Sequence, residues 1–330
     1  MTSVSHPVLM GEHALAHLDR WLAENSRSTQ LFILGDERTM DQCLPELLAR
    51  TTHLRDAQTI LVRSGEQSKD LEVCRALWTH LAERMADRQA VLVNLGGGVI
   101  TDLGGFVAST YKRGIRFINV PTTVMGMVDA AIGGKNAIDL NSIKNLVGTF
   151  ADPVATYIHP PFLRSLGKRE VLNGVAEMIK HGLVRDVEHW NLVRRAPLHD
   201  LDALAPLIQR SADIKAEVVQ EDPREQGPRK LLNFGHSIGH GLEAFALEST
   251  HRSLLHGEAV AIGMVCATWL SWRMELLDRD RMNAVEEHLM SLYPVFPFQQ
   301  ADHHRIIELM RNDKKNVDDA FRFTLLTGIG

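Results

Sequence analysis

Little in this 330-residue sequence is in surplus, and what is scarce narrows the possibilities first. There are three cysteines, Cys43, Cys74 and Cys266, scattered along the chain with no CxxC pair. That pattern predicts buried thiols in a reducing compartment and no disulfide framework. Basic residues are also short: 36 Lys plus Arg face 41 Asp plus Glu, a formal net charge of -5. A generic nucleic-acid or anionic-membrane binder needs the opposite balance, so neither partner is expected. The N-terminus, MTSVSHPVLMGEH, lacks the basic region and apolar stretch of a signal peptide. The apolar run Ala259 to Leu270 is too short to cross a bilayer. A cytoplasmic protein is expected. With 45% hydrophobic and 23% charged residues, the composition is that of a globular protein, long enough for two domains.

What is present has a clear order. Apolar strands at Leu31 to Leu34, Thr59 to Val62, Ala90 to Leu95 and Phe117 to Val120 alternate with helical stretches. Those stretches include Ala14 to Asn25, Met40 to Leu48 and Asp70 to Met85. This is βαβ spacing and predicts a parallel sheet with helices on both faces. Near Ala151 to Pro161 the pattern breaks. Helices are then predicted over Arg169 to Leu183, Leu201 to Gln220, Asn233 to Ala246 and Glu258 to Glu275. A loop and a final strand, Phe321 to Leu326, follow. The expectation is an α/β domain over residues 1–155 and an all-α domain over residues 156–330.

Chemistry concentrates in three places. Between Arg229 and Glu258 lie four histidines, His236, His240, His251 and His256. His236 and His240 share a helix face, which suits either metal ligation or a plain hydrogen-bonded pair. A third ligand would favour a metal, and Glu177 is the candidate. Its carboxylate sits among Val175, Ala176, Met178 and Ile179, where an unpaired charge would be costly. The second place is Gly96 to Gly105, a glycine-rich strand-to-helix turn. It would suit a phosphate cradle, although glycine runs also serve ordinary turns. In the third, Lys135, Lys144 and Asn145 lie beside glycine-rich backbone. A bound phosphoryl group or a solvated basic loop would each account for them. Lys215, mid-helix, reads as a surface salt-bridge partner.

Eight segments in order, GGGVITDLGGF, YKRG, PTT…VD, GGK…KN, AEMIKHG, RKLLNFGHSIGH, LLHGEA and DKKN, resemble the 3-dehydroquinate synthases. These are sugar-phosphate cyclases related to metal-dependent glycerol dehydrogenases, and the resemblance runs from about Asp36 to the end. It implies a Rossmann-like NAD-binding domain, a helical metal- and substrate-binding domain, and a homodimer. Matched to the family, Glu177, His236 and His256 are the ligands of Zn2+ or Co2+. His240 then passes from the metal to the substrate phosphate, with Lys135, Asn145 and Asn233. Arg113 matches an arginine lent across the dimer interface. Lys180, Lys215, Arg229 and one of Lys314 and Lys315 match residues that hold the substrate's hydroxyls and carboxylate. NAD falls to Asp36, Glu66, Lys69, Gly97, Gly98, Val99, Asp102, Thr122, Thr123, Asp129, Lys144 and Ser165. The activity implied is conversion of 3-deoxy-D-arabino-heptulosonate 7-phosphate to 3-dehydroquinate and phosphate. Transient oxidation, phosphate elimination, reduction and aldol closure are its steps. Other family cyclases make a valiolone or an inosose, and a zinc-dependent polyol dehydrogenase is the rival of another class. Three positions depart from the family pattern: Asn136 stands for threonine, Arg38 for asparagine and Ser165 for threonine.

Overall fold

A computed structural model describes residues 6–26, 29–140, 143–248, 254–294, 296–311 and 321–330. His251, Lys314 and Lys315 lie outside the described residues. The chain divides into two compact units, Met1–Gly167 and Lys168–Gly330.

The first unit is built on a six-stranded sheet in the order β1-β8-β5-β4-β2-β3. The strands are β1 (Val8–Met10), β2 (Leu31–Asp36), β3 (Gln58–Val62), β4 (Val91–Gly96), β5 (Arg116–Pro121) and β8 (Thr156–Ile158). Every pairing between them is parallel. All six residues of the central strand β4 are buried, as expected where helices cover both faces of a sheet. From β2 the chain moves outward to β3, then returns to β4 on the opposite side of β2. The strand order therefore reverses between β2 and β4, and the carboxyl ends there are Asp36 and Gly96. Open α/β sheets bind ligands at such a switch point.

Four local differences from expectation have physical causes. The helix expected over Met40 to Leu48 is two, α2 (Glu37–Gln42) and α3 (Leu44–Arg50). Asp36 caps the first, and Pro45 opens the second, where its missing N–H is no loss. The glycine-rich basic stretch after Gly134 is an antiparallel hairpin of β6 (Lys135–Leu140) and β7 (Ile143–Phe150). The boundary moves from 155 to 167, because Thr156–Ile158 pairs with β1 and so belongs to the sheet. Residues 321–326 form no strand. Arg322 O accepts from Ser237 and Leu326 N donates to Ser271, so side chains of the helical unit take their backbone bonds.

The second unit comprises α6 (Lys168–Arg185), α7 (Val187–Val193), α8 (Leu201–Glu221), α9 (His236–Glu248), α10 (His256–Arg273), α11 (Arg279–Leu292) and α12 (Asp302–Arg311). No helix among the described residues is long and apolar enough to cross a membrane. Within α7, His189 is 1% exposed, and neither ring nitrogen meets a hydrogen-bond partner among the described residues. Burial, only partly offset by Asp186, pushes its pKa down to about 4. The folded state thus holds His189 neutral, while an unfolded imidazole protonates near its ordinary value of about 6.5. Its contribution is complete above about 6.5 and is lost as pH falls toward about 4. By pH 5 the loss should be about 2 kcal/mol. Urea unfolding of wild type and His189→Leu between pH 7 and 5 checks this; an equal loss in both proteins would refute it.

Candidate active site

The first candidate centre is assembled by three helices of the second unit. Glu177, on α6, is 0% exposed and accepts from Lys180, itself 1% exposed and one turn further along. His236 opens α9 and His256 opens α10. His236 Nδ1 lies 3.1 Å from the carbonyl oxygen of Phe234, and His256 Nδ1 lies 3.0 Å from Glu243 Oε2. With both Nδ1 atoms so engaged, the Nε2 atoms point inward. They stand 3.5 Å (His236) and 3.7 Å (His256) from Glu177 Oε1.

The way α10 is held explains this convergence. Arg169 makes a two-pronged contact with Glu258, 2.7 Å on each oxygen, and Glu258 also accepts the Leu255 N–H at 2.8 Å. Asn173 Oδ1 accepts the Gly257 N–H at 2.6 Å. Arg169 and Asn173 lie two turns and one turn before Glu177 on α6. The helix that carries the carboxylate is therefore tied to the start of the helix that begins with His256. Gly257 allows the approach, since a Cβ there would come within 2.0 Å of the Asn173 carbonyl oxygen.

One ligand atom from each of Glu177, His236 and His256 lies within 4.8 Å of the other two. Ligands at about 2.1 Å around a tetrahedral zinc stand about 3.4 Å apart, so these residues fit the ion. A carboxylate and two imidazoles leave a fourth position for substrate or water. Burial opposes a charge on His256, but Glu243 and Glu177 outweigh it and lift its pKa to about 10. A divalent cation would meet the same negative surroundings and would displace that proton. His240, one turn along α9, places its ring centroid 5.4 Å from that of His236 and 6.2 Å from that of His256. Of the two histidines at helical spacing, His236 thus belongs to the trio that could hold a metal and His240 lies beside it.

On α8 of the same unit, Lys215 is only 7% exposed, which overturns its reading as a surface salt-bridge partner. Its helix α8 packs on the turn Pro228–Asn233, where Arg229 is 1% exposed. Asp222 shapes the loop that leads there, accepting from the backbone N–H groups of Gln226, Gly227 and Arg229. Arg229 donates to Pro223 O at 2.7 Å, and Asn233 donates to Glu225 at 2.9 Å.

The second centre lies in the first unit. Lys69, 3% exposed, donates to Asp102 at 2.8 Å and to the Asn145 amide oxygen at 2.6 Å. Glu66 stands 3.7 Å from Lys69 and 3.6 Å from Lys144. Burial works against the Lys69 charge, yet Asp102 and Glu66 raise its pKa and keep the ammonium charged. Asn145, expected in the phosphate set, is thereby joined to four residues of the expected cofactor set. Gly97 caps α5 (Gly98–Thr110), so Gly98 and Val99 lie in its first turn, at the carboxyl end of β4. Asp36 caps α2 at the neighbouring carboxyl end of β2, accepting from Thr39 N–H at 2.9 Å. Thr122 N–H donates to Gly96 O at 3.0 Å, and Thr123 Oγ1 accepts from Gly126 at 3.0 Å. That second bond opens the turn Gly126–Ala130, which carries Asp129. Ser165 closes a separate turn with its hydroxyl on Phe162 O. Lys135 is exposed at the start of β6. Arg113 is exposed between Lys112 and Gly114, and all three have positive φ. Asn136, a departure from the family pattern, is buried and ties Gly134 O to Ala151 O at the hairpin base.

Sequence reasoning missed Asp139, which accepts the Asn145 N–H at 2.8 Å, and also Asp222, Glu243 and the Arg169–Glu258 pair. Only Glu243 carried a legible signal, since it follows His236 by seven residues on the same helix face.

Known proteins match the chain along most of its length. The family model for the N-terminal part of 3-dehydroquinate synthase matches residues 59–173, and that for the C-terminal part matches residues 174–316. A 3-dehydroquinate synthase from Parabacteroides distasonis is 42% identical over 306 residues, 91% of this chain and 85% of its own length. The chain belongs to the 3-dehydroquinate synthase family. Among solved structures, 2-epi-5-epi-valiolone synthase from Streptomyces hygroscopicus, with NAD+ and Zn2+ bound, superposes with a TM-score of 0.86 at 28% identity. That match covers 100% of this chain and 92% of the synthase. A 2-deoxy-scyllo-inosose synthase holding carbaglucose-6-phosphate, NAD+ and Co2+ gives 0.85 at 25% identity, covering 98% and 89%. Membership makes this chain a family enzyme of the cyclase kind, on a fold whose solved relatives hold NAD+ with a divalent metal.

Proposed function

We propose that this chain is a 3-dehydroquinate synthase, a phosphate-eliminating carbon–oxygen lyase. Its substrate would be 3-deoxy-D-arabino-heptulosonate 7-phosphate, and it would serve the shikimate route to aromatic amino acids in the cytoplasm. The observation that carries the reading is the buried basic pair Lys215 and Arg229 on packed segments of the metal-bearing unit. A substrate carboxylate is complementary to such a basic pair, whereas precursors of a valiolone or an inosose have no carboxylate to offer. When bound, NAD supplies a reversible hydride acceptor and zinc, or cobalt, a Lewis acid for the substrate's C5 hydroxyl. Glu177, His236 and His256 hold the metal. Asp36, Glu66, Lys69, Gly97, Gly98, Val99, Asp102, Thr122, Thr123, Asp129, Lys144 and Ser165 hold NAD. Lys180, Lys215, Arg229 and one lysine of the Lys314–Lys315 pair orient the sugar's hydroxyls and carboxylate. Lys135, Asn145, Asn233 and His240, with Arg113 lent by a second copy in a homodimer, hold the phosphate. The chain's contribution is positioning and charge stabilisation, because the phosphate must reach a neighbouring C–H and then depart.

Incubation with the heptulosonate phosphate, NAD and Zn2+ tests the assignment, following phosphate release and carbocycle together. Equimolar phosphate and 3-dehydroquinate without build-up of NADH is the expected result. Accumulating NADH would indicate a polyol dehydrogenase, and inertness toward this sugar with turnover of sedoheptulose 7-phosphate would indicate a valiolone-type cyclase. Lys135→Ala should lower phosphate release by about 10²–10³-fold while NAD affinity holds, the scale of losing one charged contact in a transition state. Near-normal turnover in that variant would remove Lys135 from the phosphate set.

A further inference from the structure

The trio of Glu177, His236 and His256 leaves one charged neighbour without an assigned task. Glu243 is 3% exposed, and its Oε2 lies 3.0 Å from Nδ1 of His256. On α9, His236, His240 and Glu243 follow at intervals of four and three residues, so one helix face carries all three. The two imidazoles of the trio are not held alike. His236 is steadied by the carbonyl of Phe234, two residues before it and outside the reach of any side-chain change. His256 begins its helix, its side chain is 29% exposed, and the contact given to its outer nitrogen comes from Glu243.

We infer that Glu243 is the positioning residue for His256, fixing its tautomer and aiming Nε2 at the metal. With the Nδ1 proton donated to a carboxylate, Nε2 must be the basic nitrogen, and the negative partner makes it a stronger donor to a cation. The inference rests on the metal-site reading, and the test keeps the two apart.

Zn2+ affinity is measured by chelator competition for wild type, Glu243→Gln, Glu243→Ala and Glu177→Ala. The visible spectra of the Co2+-loaded proteins are recorded alongside. Glu243→Ala should bind Zn2+ about 10–100-fold more weakly, the usual cost of removing an orienting partner. Glu243→Gln, which keeps an acceptor but no charge, should fall between it and wild type. The Co2+ bands should shift in both variants, while NAD affinity stays that of wild type. Wild-type Zn2+ affinity and spectrum in Glu243→Gln and Glu243→Ala, with Glu177→Ala losing the metal, would overturn the role of Glu243 alone. Undiminished metal binding in Glu177→Ala as well would overturn the metal site itself. Should Glu243→Ala not fold, the near-isosteric Glu243→Gln decides.

Discussion

His256→Ala should leave the protein folded, able to bind NAD and empty of metal, with phosphate release from the heptulosonate phosphate reduced on the order of 10³-fold or more. The figure follows from losing a Lewis acid that contributes several kcal/mol to charge stabilisation, about 1.4 kcal/mol for each factor of ten. His256 is the informative choice among the trio because of what each removal leaves behind. Glu177→Ala would strand the Lys180 ammonium, 1% exposed, without the carboxylate it donates to. A lone buried charge of that kind costs about 3–5 kcal/mol, so metal loss in Glu177→Ala is read only beside a thermal-unfolding control that shows the variant folded. His256 has a side chain 29% exposed, and its removal leaves Glu243 where water can reach the gap. Elemental analysis of the purified variant gives the metal content, and thermal unfolding verifies the fold. A fully metallated His256→Ala protein would remove that residue from the ligand set.

Gly263→Ala should be the most damaging single-methyl change in the helical unit, although Gly263 touches neither substrate nor metal. A Cβ at Gly263 would lie 1.9 Å from the carbonyl oxygen of Gly235 and 3.0 Å from the Gly239 N–H nitrogen. Both neighbours are backbone, so no side chain can rotate away. The start of α9 must retreat from α10, and the residue it carries is His236. Overpacking of this kind costs about 3 kcal/mol. Metal affinity should drop together with stability, since His236 and His256 sit on the two helices being driven apart. Gly328→Ala is the matched control, because a Cβ there meets nothing within 4 Å. Denaturant unfolding of both variants, with Zn2+ affinity measured alongside, makes the check. Equal stabilities for the two would mean that the α9–α10 crossing is far looser than its geometry.

The order of strands and helices was legible along the chain because period and composition are local. β4 reads as an unbroken apolar run because both of its faces are covered, and α4 (Leu71–Glu83) begins where Asp70 caps it. Glu177 stands out in the sequence alone, since a carboxylate amid Val175, Ala176, Met178 and Ile179 needs a partner. The resemblance then supplied His236 and His256. The β6–β7 hairpin was not legible, because its outward apolar residues, among them Leu146 and Phe150, break the alternation that marks a half-buried strand. Thr156–Ile158 is not legible as a strand because three residues are too few to show a period.

What the sequence determined by itself, then, is the inventory: which stretches form strands, which form helices, and which side chains carry chemistry. The tertiary structure decided the pairings. Lys215 became a buried cation, Asn145 joined Lys69, Glu243 came to face His256, and Arg169 clasped Glu258 across 89 residues. Each of those contacts depends on where two helices or a strand and a hairpin cross. A crossing is set by packing many side chains at once, and no short window of residues records it.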